Sequence, residues 1–155
     1  MFRKFQKWLR NSIESHSPDQ DTAPERAIQH ACCLLLMEVA RLETTNAEQK
    51  RTLVAQMMRE AFDLPEADIA AMIDTFSRPE NQLTSYFEPA SLVNRHRTAA
   101  SKAHFVEQLW RVAMVDGTID MYEDHLVRKL SDLLYVSHRD FILAKNKVQA
   151  SMLSS

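Results

Sequence analysis

A single glycine, Gly117, occurs in the 155 residues of this chain, and it constrains the fold more than any other feature. Phosphate-cradling loops and dinucleotide-binding fingerprints need several glycines, for tight turns and for close backbone approach to a ligand. Tight two-residue hairpins also depend on glycine at positive φ, and an all-β chain of this length needs many of them. With 45% of residues hydrophobic and 26% charged, the chain is too apolar for disorder. An all-α single-domain bundle is the fold class that remains.

Apolar spacing divides the chain into about seven or eight helices. Residues 1–13, MFRKFQKWLRNSI, set Phe2, Phe5, Trp8, Leu9 and Ile13 on one side and carry a charge of +4. They read as an amphipathic basic helix, suited either to an anionic membrane surface or to docking on the domain. Residues 14–24 read as a linker, with Thr22 as an N-cap and Pro24 in the first helical turn. The helical domain is expected over residues 25–150. Ile28, Cys32, Leu35, Val39 and Leu42 form its first stripe, on a segment so apolar all round that it belongs at the centre of the core. A second run places Leu53, Val54, Met57, Ala61 and Phe62 on one face, and a third follows Ile69, Met72, Ile73 and Phe76. Pro89 starts a short helix or kinks a longer one. Later helices bury Phe105, Leu109 and Val112, then Leu126 and Leu130, then Phe141 and Val148.

A shift of 73 residues lays VARLETTNAEQKRTLV, from Val39, on VAMVDGTIDMYEDHLV, from Val112. Few residues are identical, but the apolar pattern agrees, with Leu53 on Leu126 and Met57 on Leu130. Two related three-helix halves are therefore expected, at about residues 30–70 and 103–145, packed face to face because neither buries its apolar side alone. Glu43 and Asp116 take equivalent turn positions.

Nineteen basic and 21 acidic residues give a net charge of -2, and beyond residue 13 the balance is about -6. Such a chain is not expected to gather nucleic acid. Cys32 and Cys33 are adjacent, have no other cysteine to pair with and read as small buried hydrophobes in a reducing compartment. The longest apolar run, Ala31 to Met37, is seven residues, well short of the ~20 that span a bilayer. The expected location is the cytoplasm, or the inner-membrane periphery if residues 1–13 act as an anchor.

The densest polar constellation is Asp116, Gly117, Thr118, Asp120, Glu123 and Asp124. Clustered oxygen donors suit a hard cation, calcium or magnesium, and the candidate ligands are Asp116, Asp120 and Glu123, joined by Glu43 and Glu38. The same residues also have a purely structural use. Asp120 and Glu123 match a capping box, and Gly117 matches the C-terminal cap of the preceding helix. An EF-hand is excluded, since Met121 would stand where its glycine belongs and Val127 where its bidentate glutamate belongs. The six histidines show no zinc-site spacing, and no serine or cysteine nucleophile is paired with a base, so a non-enzymatic module is expected. One alternative is a peripheral membrane adaptor whose residues 1–13 lie on anionic lipid while the helical body recruits a partner, and another is an enzyme using paired carboxylates.

The segment LWRVAMVDGTIDMYEDHLVRKLSDLLYVSHRDFILAK, from Leu109, resembles the C-terminal half of the TerB-like family of bacterial proteins, named for tellurite-resistance operons. LLLMEVARLETTNAEQKR resembles the family's first acidic turn, so the likeness runs from about Glu25 to Val148. The first turn departs from the family pattern: Glu43 stands where Asp is common, Thr44 where Gly is common, and Lys50 where the copy offset by 73 has Glu123. The resemblance implies an all-helical bundle of two related halves and an acidic surface that binds metal ions. It also implies a role in stress-response or membrane-associated complexes, with a protein partner, rather than in catalysis.

Overall fold

The first helix explains how the rest is arranged. In a computed structural model describing residues 22–43 and 45–153, helix α1 spans Thr22–Ala40, and every residue from His30 to Ala40 is buried. A helix that is apolar all round gains by being surrounded. Helix α1 accordingly packs against α2 (Ala47–Ala61), α3 (Glu66–Ser77), α4 (Phe87–His96), α5 (Ala99–Ala113) and α6 (Met121–Leu133). Helix α7 (His138–Leu153) closes the bundle against α5, where Trp110 and Phe141 lie with ring centroids 5.3 Å apart.

Seven α-helices and one 3₁₀ turn, Pro79–Asn81, make up the described residues, and no strand occurs among them. The all-α expectation therefore holds. Helix α1 already includes Thr22, which the sequence reading makes its N-cap, and Pro24 lies in its first turn. Pro89 lies in the first turn of α4, the tolerated place for a residue without an N–H, and so it starts a short helix. The basic segment 1–13, with its expected membrane or domain contact, lies outside the described residues. No described helix is long and apolar enough to cross a membrane.

Most core positions follow the periodicity, although Leu53 within α2 and Phe105 within α5 are only partly buried. Ile28, Cys32, Leu35 and Val39 are buried as expected, but Leu42 is 40% exposed. Helix α1 stops at Ala40, so the 4-3 rhythm no longer governs where Leu42 points. Ala61, the last residue of α2, is also exposed.

Capping is explicit at three starts. The Thr98 hydroxyl accepts the Ser101 amide at 3.1 Å, the Ser137 hydroxyl accepts the Asp140 amide at 3.1 Å, and the Asp120 carboxylate accepts the Glu123 amide at 2.7 Å. Each meets an amide that the first helical turn leaves without a partner. Gly117 has φ +87°, but it is not the helix cap: Met114 is, and Gly117 closes the following turn by donating its amide to the Met114 carbonyl at 2.8 Å.

Candidate cation site

The turn after α1 and the turn before α6 come together, each held at a helix end. Glu43 lies three residues beyond the end of α1 and Asp120 caps α6, which carries Glu123 in its first turn. One carboxylate oxygen from each of Glu43, Asp120 and Glu123 lies within 4.8 Å of the others. These three acids differ sharply in exposure: Glu123 is buried, Glu43 is partly buried and Asp120 is exposed.

The residue that sequence reasoning did not count among the site residues is Lys50, from the first turn of α2. Its side chain is 1% exposed, and its Nζ lies 3.3 Å from Oε2 of Glu123 and 3.9 Å from Oε2 of Glu43. Lys50 thus supplies positive charge to the oxygens a metal ion would use. The signal was present in the sequence: the 73-residue shift pairs Lys50 with Glu123, so a reversed charge stands at the equivalent position. A carboxylate facing a carboxylate across two packed turns repels, whereas an ammonium facing a carboxylate attracts.

This arrangement alters the capping box. Asp120 performs its half, but the Glu123 carboxylate turns to Lys50. Burial disfavours the charged form of Glu123 more than Lys50 favours it, and its carboxyl is pushed up to about 7.

Two of the five sequence-derived candidates stand apart from this trio. Asp116 is exposed and accepts hydrogen bonds from the Thr118 amide and hydroxyl, both at 3.0 Å, which hold its carboxyl below the usual range. Its second oxygen accepts from Nδ2 of Asn46 at 3.4 Å, a side-chain link between the two turns. Glu38 is buried and accepts the Leu83 amide at 2.7 Å while facing Nε of Arg41 at 3.1 Å. Arg41 in turn donates to the Phe76 carbonyl. Glu38 therefore fastens the segment joining α3 and α4 to the end of α1, and burial raises its carboxyl despite both partners.

The thiols offer no nucleophile. Burial pushes Cys32 up to about 12 and Cys33 higher still, so both remain protonated near neutral pH.

Fold and site together define a class: an all-helical module whose polar turns meet over a buried lysine–glutamate pair. The chain belongs to the TerB family, since the family model described as tellurite resistance protein TerB matches residues 29–146, from the second turn of α1 well into α7. No curated protein and no solved structure matches it significantly.

Proposed function

We propose that this chain is a non-enzymatic TerB-like binding module in which the two polar turns form one cation site, with the Lys50 ammonium as its resident and a divalent cation as its competitor. The observation that supports this is the placement of Lys50 Nζ against Glu123 and Glu43 within the only cluster of three acids found among the described residues. Calcium or magnesium binds oxygens of this kind, but here it must displace an ammonium already paired with them. The module then acts by holding a protein partner, in tellurite or other stress resistance in the bacterial cytoplasm. The protonated thiols, and acids that are each committed to a cap, a turn or an ion pair, favour binding over catalysis.

Calcium and magnesium titrations of the full chain and of Lys50→Gln, followed by melting temperature and amide shifts, test this. The parent should respond weakly, and Lys50→Gln should bind at least about tenfold more tightly. Equal calcium affinity in both proteins would show that Lys50 does not occupy the site.

A further inference from the structure

A second lysine is buried on a different side of the bundle, without an acid. Lys102, in the first turns of α5, is 9% exposed, and its Nζ reaches Oδ1 of Asn94 at 3.2 Å and the Tyr135 ring, whose centroid is 5.7 Å away. It forms no ion pair among the described residues, whereas Lys50 has two. A buried ammonium met only by an amide oxygen and a ring is under-compensated, because neither partner replaces the solvation of a full charge. Asn94 is itself fixed, donating Nδ2 to the Leu133 carbonyl at 2.9 Å, so its oxygen is held for the lysine.

Lys102 lines a recess of about 300 Å³ together with Arg95, Ser91, Phe87 and Tyr135, and no carboxylate lines it. Within the described residues, Arg95 engages only Nε, in a long 3.4 Å bond to the Ser91 carbonyl of its own helix, so the two terminal nitrogens of its fork are available. Phe87 and Tyr135 are 62% and 76% exposed, an unusual display of aromatic surface at one mouth. Tyr135 also has φ +57°, the left-handed conformation at the end of α6 where glycine is favoured. Val136 donates back to the Ser131 carbonyl at 3.0 Å, which holds that turn. Glycine would satisfy the backbone at lower cost, but only an aromatic residue there brings a ring over Lys102.

We propose that the recess between α4, α5 and the turn after α6 binds a small phosphate monoester bearing an aromatic or other planar group. Two cations with no lining acid match a phosphate dianion, and the free guanidinium fork suits its oxygens. The Phe87 and Tyr135 rings supply stacking surface for the planar group. This site is separate from the Lys50 cluster, so either can fail without the other.

Phenyl phosphate titrated into the full chain at low ionic strength, followed by amide NMR, tests the assignment. Saturable shifts are expected at the Asn94 side-chain amide and the Tyr135 backbone, with inorganic phosphate and benzoate binding several-fold more weakly. Lys102→Met and Tyr135→Gly should each lose at least about tenfold in affinity. Tyr135→Gly relieves the positive φ, so it keeps the fold if Lys102→Met does not, and Arg95→Gln provides a further folded variant. The assignment is overturned by an absence of saturable shifts, or by unchanged affinity in the folded variants. Equal affinity for inorganic phosphate overturns the planar group, and equal affinity for benzoate overturns the phosphate.

Discussion

Lys50 and Glu123, each with a side chain 1% exposed, face one another at 3.3 Å across the junction of α2 and α6, 73 residues apart in the chain. Removing either partner strands the other, and an uncompensated buried charge costs far more than the net value of the pair. Lys50→Met is expected to lower unfolding free energy by about 3 kcal/mol at neutral pH. The double variant Lys50→Met with Glu123→Leu should recover most of that loss, since an apolar pair of similar volume has no desolvation penalty. Denaturant midpoints of the two singles and the double form the cycle that checks it.

The raised carboxyl of Glu123 has a definite pH signature. Its folded value of about 7 lies above the ordinary 4.5, so between those pH values the folded protein binds a proton that the unfolded chain has released. The contribution of this group to stability is therefore fully present below the unfolded value and declines as pH rises toward 7. Glu123→Gln should flatten that decline, and the cost of Lys50→Met should shrink as pH falls. Unfolding midpoints measured across the acidic to neutral range give both slopes.

Gly117 has open space around a notional Cβ, with no atom within 4 Å, so only its φ of +87° resists substitution. Gly117→Val should destabilise by about 1 to 3 kcal/mol through backbone strain alone. Gly117→Asn should cost clearly less, because Asn tolerates left-handed backbone better than a β-branched residue does. Comparable melting temperatures for the Val variant and the parent would mean that the turn relaxes away from positive φ.

Leu35 in α1 and Leu130 in α6 are both fully buried. Truncating either to alanine leaves a cavity that its neighbours fill only in part, and about 2 to 5 kcal/mol should be lost. Equilibrium denaturation provides the check, and near-parental midpoints would show that these two positions are not the packed core they form here.

Much of the fold was legible because it depends on local, repetitive signals. The seven-residue apolar run in α1 announced a helix buried on every side, and Asp120 marked a helix start by its capping side chain, whereas Pro89 left a start and a kink both open until the structure decided for a start. Periodicity did not place Leu42, which lies past the end of α1, and it did not show how deeply Leu53, Ala61 and Phe105 sit, since depth depends on what the neighbouring helices cover. Gly117 was rightly singled out as a turn residue, but it acts three residues beyond the cap.

The candidate site was legible in part. Glu43, Asp120 and Glu123 converge as their turn positions suggested, whereas Asp116 is taken by Thr118 and Glu38 by Leu83 and Arg41. A carboxylate's residue type shows that it can accept, not which donor reaches it first.

By itself the sequence determined the helical class, the central helix, the acidic turns and the family, since each rests on spacing and composition within short stretches. Only the tertiary structure decided that Lys50 enters the acidic cluster, that Glu38 leaves it and that Lys102 is buried without a counter-charge. These are contacts between residues tens of positions apart, and their energies depend on burial, which exists only once the helices have packed.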